Sequence, residues 1–142
     1  MAIVKDLLQA KGSDVITITP DATVYQALER MAQHDIGALV VTTDDDVVGI
    51  FSERDYARKI ILKGKGSRAT AVHEIMTADV ICVRPDQTVS KCMAIMTDKH
   101  IRHLPVLANG RLAGVVSIGD VVKAIMREQQ VIINHLQDYI HS

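Results

Sequence analysis

The sequence predicts a mixed α and β fold built from two copies of one strand-helix-strand-strand-helix unit, and three observations predict it. The chain of 142 residues matches itself at an offset of 65, so that positions 15 to 60 align without a gap on positions 80 to 125. The match holds about 14 identities over those 46 positions, where composition by itself would give roughly three or four. Short apolar runs bounded by turn residues alternate with helix-period stripes in the same order in both copies. Each copy also ends on the same heptapeptide pattern, Gly-x-x-Ser-x-x-Asp.

The elements follow from local chemistry. An extended run (Val15 to Thr19; Val80 to Arg84) stops at Pro20 or Pro85, which cannot donate to a ladder. A helix then begins. Thr23 with Gln26 has capping-box form, and Val24, Ala27, Leu28 and Met31 recur at helical spacing, as do Val89, Cys92, Met93 and Met96. Two apolar runs joined by a polar turn come next: Ala38 to Thr42 and Val47 to Phe51 around Asp44-Asp45-Asp46, then His103 to Ala108 and Leu112 to Val116 around Asn109-Gly110. Asn-Gly between apolar runs predicts a hairpin with positive φ at both turn residues. A second helix starts near Ser52 or Ser117 and carries Asp55 or Asp120 in its first turn, at the positive end of the dipole.

Outside the repeat, residues 3 to 10 predict a short amphipathic helix closed by Gly12, and residues 63 to 70 a polar linker. The expected division is therefore residues 1–70 for the first repeat with its lead-in helix and linker, and 71–142 for the second with its tail. That tail continues the last helix with Val121, Val122, Ile125, Ile132, Ile133 and Leu136, more apolar face than one small sheet needs. Packing within the chain is one reading and a subunit contact the other.

Composition narrows the function. Sixteen Lys and Arg against 17 Asp and Glu leave a net charge of −1, which disfavours a binder of phosphate backbones. Three Tyr, one Phe and no Trp leave almost nothing on which nucleic-acid bases could stack. The 48% hydrophobic content supplies an aliphatic core without a disulfide or structural metal. Cys82 and Cys92 lack a metal-ligand spacing and fit reduced thiols. The start of the chain has no signal-peptide pattern and no apolar run reaches membrane-spanning length, so a cytoplasmic protein is expected. His34, His73, His100, His103, His135 and His141 show no paired ligand spacing beyond His100 and His103, and no metal is expected. No nucleophile elbow is present, and no enzymatic activity is expected.

The pattern with chemical content is Gly49-Ile50-Phe51-Ser52-Glu53-Arg54-Asp55, repeated as Gly114-Val115-Val116-Ser117-Ile118-Gly119-Asp120. It predicts a strand-to-helix turn. The glycine permits close approach, the serine and free helix amides can donate to a phosphate, and the aspartate can accept from vicinal hydroxyls such as those of a ribose. One copy by itself is explained as an N-capped helix start. Two copies in register favour a ligand.

With these turns, the Val15-to-Val24 opening, Ile75-Met76-Thr77 and Ile101-Arg102-His103-Leu104-Pro105-Val106, the chain resembles a tandem pair of CBS domains, also called a Bateman module. The resemblance implies two βαββα units packed about a pseudo-twofold axis, with clefts that take adenine nucleotides: AMP, ADP, ATP, sometimes NAD or S-adenosylmethionine. It implies a regulatory module that transmits ligand occupancy through repeat orientation or dimer geometry, with a second copy and an unidentified regulated protein as partners. Carried over by residue, Asp55 and Asp120 would take the ribose, and Ser52 and Ser117 the phosphate or ribose. Ile50 and Val115 would wall the adenine. Gly37-Ala38 and Arg102-His103 would meet adenine and phosphate, with Arg54 and Arg58 as further phosphate candidates. The copies differ at 37–38 against 102–103, so two unequal sites are expected. A dimerisation scaffold with vestigial clefts is the alternative, and a nucleotide-processing enzyme a weaker one.

Overall fold

The computed structural model describes residues 1–12 and 14–141 and forms two compact units, Val15–Ile81 and Met1–Asp14 with Cys82–Ser142. This differs from the expected boundary at 70/71. Helix α1 (Val4–Lys11) joins the second repeat, because its first turn docks there by backbone hydrogen bonds. The Val4 and Lys5 amides donate to the Gln87 and Pro85 carbonyls at 2.8 and 2.9 Å, and the Val89 amide donates to the Ala2 carbonyl at 3.0 Å. Conversely, residues 71–81 belong to the first repeat's unit, where the Val72 amide donates to the Ala22 carbonyl at 2.8 Å.

In the first unit, β1 (Thr17–Ile18) runs parallel to β2 (Ala38–Thr43), which pairs antiparallel with β3 (Asp46–Ser52). Helix α2 (Val24–His34) starts at the capping box read from sequence. The Thr23 hydroxyl accepts from the Gln26 amide at 3.1 Å, and the Thr23 amide donates to the Gln26 side chain at 2.9 Å. Its buried stripe, Val24, Ala27 and Met31, packs with Leu39, Val41, Phe51 and Ile60 into an aliphatic core in which Phe51 is the one aromatic ring that is fully buried. A short helix α3 (Glu53–Asp55) passes directly into a π-helical segment, Tyr56–Ile61, where a regular helix was expected. There the Leu62 amide reaches the Ala57 carbonyl at 3.4 Å, five residues back.

The second unit repeats this with α4 (Val89–Lys99), β4 (His103–Ala108), β5 (Arg111–Ser117) and α5 (Ile118–His141). The repeat extends to backbone irregularities. Asp35 and His100 both end their helices in the left-handed region, and the hairpin turns Asp44-Asp45 and Asn109-Gly110 all have positive φ. Both hairpins carry a register shift at the same place, Val41/Thr42 and Val106/Leu107.

One expected strand is absent. Residues 80–84 make only an isolated parallel bridge, Val83 with Val106. The Val83 amide donates to the Pro105 carbonyl and the Leu107 amide to the Val83 carbonyl, both at 2.9 Å. The next ladder bond toward Ile81 would need an N–H on Pro105, which has none, whereas the first repeat has Val40 there. Among the described residues no helix is long and apolar enough to cross a membrane.

Candidate functional site

Each Gly-x-x-Ser-x-x-Asp turn closes a hairpin and opens a helix within its own unit. In the first, β3 delivers Gly49, Ile50 and Ser52, and Ser52 caps α3. The Ser52 hydroxyl accepts from the Asp55 amide at 3.2 Å, while the Ser52 amide and hydroxyl donate to Asp55 Oδ2 at 3.0 and 3.1 Å. Asp55 is only 8% exposed. Burial of a carboxylate demands partners, and Asp55 Oδ1 has two: Lys59 Nζ at 3.1 Å and the Thr77 hydroxyl at 3.4 Å. Lys59 also donates to the Ile75 carbonyl at 3.0 Å.

The second turn has the same cap with a different cation. The Ser117 hydroxyl accepts from the Asp120 amide at 3.2 Å, and the Ser117 amide donates to Asp120 Oδ2 at 2.9 Å. Lys11 Nζ, from α1, lies 2.6 Å from the same oxygen and donates to the Val115 carbonyl at 2.9 Å. Burial alone would push the Asp120 carboxyl up, but the hydrogen bonds from Lys11 and Ser117 and the Lys11 charge together hold it below the ordinary carboxylate value.

The glycines do what close approach requires, though what approaches is the chain itself. A Cβ on Gly49 would lie 2.5 Å from Met76 Sδ and 3.1 Å from the Thr77 carbonyl, and one on Gly114 would lie 2.5 Å from Leu8 Cδ2. Ile50 exchanges two 2.9 Å backbone bonds with Thr77, whereas the Val115 carbonyl takes the Lys11 ammonium.

The remaining candidates fall beside these turns. Ala38 pairs with Ser52 and the Glu53 amide donates to the Gly37 carbonyl at 3.1 Å, while His103 pairs with Ser117 and the Ile118 amide donates to the Arg102 carbonyl at 2.8 Å. Arg54 is half-buried on α3, and Arg58 lies exposed on the π-helical segment. Three groups at the turns were missed by the sequence reading. Lys59 stands four residues after Asp55, a spacing that was legible. Thr77 and Lys11 are far from their aspartates in sequence, and only folding brings them there. Among the described residues, no group of three or more His, Cys, Asp or Glu could hold a metal ion. Cys82 and Cys92 are free thiols whose pKa values burial pushes up.

The profile of the CBS domain family matches residues 4–62 and 72–127. The chain belongs to the CBS domain family. It is 41% identical over 146 residues to the mitochondrial CBS domain-containing protein CBSX3 of Arabidopsis thaliana, covering 96% of this chain and 71% of that one. It is 48% identical, with a TM-score of 0.87, to a CBS-domain protein of solved structure from Burkholderia ambifaria assigned to signal transduction, covering 90% of this chain and 96% of that one. The CBS domain pair of protein MJ0100, crystallised with 5′-methylthioadenosine and S-adenosyl-L-methionine, is 25% identical with a TM-score of 0.80, covering 90% and 98%. CBS domain pairs thus include binders of nucleotide-like ligands.

Proposed function

We propose that this CBS protein is a non-catalytic regulatory module that binds an adenine nucleotide, AMP, ATP or NAD, at its Gly-x-x-Ser-x-x-Asp turns. The supporting observation is the duplication of the turn geometry: Asp55 and Asp120 hold the same place three residues after a capping serine, each with a lysine ammonium beside it. A carboxylate there offers acceptors to a ribose diol, and the ammonium offers a counter-charge to a phosphate. The ligands of the MJ0100 pair share an adenosine ribose, which fits this chemistry. Ligand occupancy would act by shifting the population of states that a partner reads. Two free thiols suit a reducing compartment, and we place the protein in the cytoplasm.

One observation favours a ligand-free scaffold instead: both aspartates already serve in helix caps and ion pairs. Calorimetric titration of AMP, ATP and NAD separates the readings. The nucleotide reading expects Asp55→Asn and Asp120→Asn each to remove one class of sites while the unliganded protein stays folded. No heat with any of the three nucleotides at millimolar concentration, or unchanged stoichiometry in the double variant, refutes it in favour of the scaffold.

A further inference from the structure

At the second Gly-x-x-Ser-x-x-Asp turn, a side chain from the same unit engages groups that a nucleoside would need. Lys11 Nζ donates to the Val115 carbonyl at 2.9 Å and to Asp120 Oδ2 at 2.6 Å. Oδ2 also accepts from the Ser117 amide at 2.9 Å, so both of its lone pairs are engaged. A ribose diol that donates one hydroxyl to each carboxylate oxygen therefore has to displace one of these partners. The Ser117 amide is fixed by the helix cap, in which the Ser117 hydroxyl accepts from the Asp120 amide at 3.2 Å. Lys11 is the partner able to leave. Its side chain is 38% exposed, and its flexible four-carbon stem can swing while α1 stays seated by the Val4 and Lys5 backbone bonds and by Leu8 against Gly114.

Taking the nucleotide reading above as the basis, we propose that Lys11 makes the second turn selective for a phosphorylated nucleoside over a bare one, by exchange. As the ribose diol takes Asp120, the Lys11 ammonium leaves the carboxylate and pairs with the phosphate of the same ligand. A nucleotide thereby replaces the charge-assisted bond that it breaks. A nucleoside breaks the same bond and leaves the ammonium to water, so it binds at a penalty that the nucleotide escapes.

Two features make this exchange a property of the second turn. The 24-residue helix α5 opens there, and the positive end of its dipole adds to the attraction for an anion beside Ser117. At the first turn Asp55 is held more fully: Oδ2 accepts from the Ser52 amide and hydroxyl, and Oδ1 from Lys59 and the Thr77 hydroxyl. A diol there has two partners to displace rather than one. The Ile50 amide and carbonyl are also taken by Thr77, whereas at the second turn the Val115 carbonyl is held by the same movable ammonium as Asp120.

Calorimetric titration of adenosine and of AMP into the full chain, Lys11→Met and Lys11→Met/Asp120→Asn tests this. The unsubstituted chain is expected to bind AMP at least about tenfold more tightly than adenosine. In Lys11→Met adenosine should bind at least about fivefold more tightly than in the unsubstituted chain, because no ion pair has to be broken. The preference for AMP should shrink there by at least about fivefold, and Asp120→Asn should abolish the gain for adenosine. A second readout needs no variant. Adenosine should raise trace acetylation of Lys11 in the unsubstituted chain, relative to the exposed Lys5 of the same helix, with the half-saturation of the calorimetric isotherm. Unchanged adenosine affinity in Lys11→Met, an unchanged ratio of AMP to adenosine affinity, or Lys11 acetylation indifferent to adenosine would each overturn the proposal and leave the nucleotide reading standing. Absence of binding by both ligands in the unsubstituted chain and in Lys11→Met alike overturns the nucleotide reading, and the proposal with it.

Discussion

Asp45 and Gly110 hold the same turn position in the two hairpins, with φ of 69° and 78°. The left-handed region costs an ordinary L-residue about 1 kcal/mol and glycine almost nothing. Asp45→Gly should therefore stabilise the first unit by up to about 1 kcal/mol in urea unfolding, while Gly110→Asp destabilises the second. Asp120 supplies a pH dependence. Its carboxyl is held below the ordinary value when folded, so its contribution to stability is complete above the unfolded pKa, near 3.8, and is lost as pH falls through the lower folded value. Urea midpoints from pH 5 to pH 2 should fall more steeply in the unsubstituted protein than in Lys11→Met, which lacks the main cation. At this scale the sequence was informative about Ser52, Asp55, Ser117 and Asp120, since a capping serine and a first-turn acid are local chemistry. It was silent on Lys11, which reaches Asp120 only because α1 docks on the second unit.

Among elements, α1 has the largest consequence for its size. Leu8 fills the space above Gly114, and Lys11 reaches Val115 and Asp120 from the same helix. Gly114→Ala should cost roughly 1–3 kcal/mol by overpacking, and Leu8→Ala introduced with it should cost less than the sum of the two single changes. Additive effects in that double-mutant cycle would mean that Leu8 does not set the constraint. Deleting residues 1–12 should lower hydrogen-exchange protection in β4 and β5 more than in β2 and β3, because α1 belongs to the second unit. The sequence indicated α1, both hairpins and both capped helices through period and turn chemistry. It did not indicate the π-helical segment Tyr56–Ile61 or the loss of the strand at 80–84. The second of these depends on Pro105 standing where a backbone N–H is needed to carry the ladder on to the Ile81 carbonyl, a requirement that arises only once residues 80–84 lie beside β4.

At the scale of the whole molecule, a ligand that binds the folded state alone stabilises it by about 2.7 kcal/mol at a hundredfold excess over its dissociation constant. For a chain of this length that corresponds to a rise in Tm of roughly 5–10 °C, readable by scanning fluorimetry with each nucleotide in turn. The sequence by itself determined that the chain is built from two copies of one mixed α and β unit, that its core is aliphatic and that two equivalent turns carry a serine and an aspartate. These are properties of period, composition and local capping. The tertiary structure decided which segments close each unit. Residues 1–14 complete the second repeat and residues 71–81 the first, so each unit is finished by the segment that precedes the other repeat in the chain. It also decided that the two aspartates hold different lysines, one from the π-helical segment that follows α3 and one from α1. The physical reason is that periodicity specifies which face of an element is buried, while the choice of partner for that face depends on backbone hydrogen bonds and side-chain fit between residues distant in the chain.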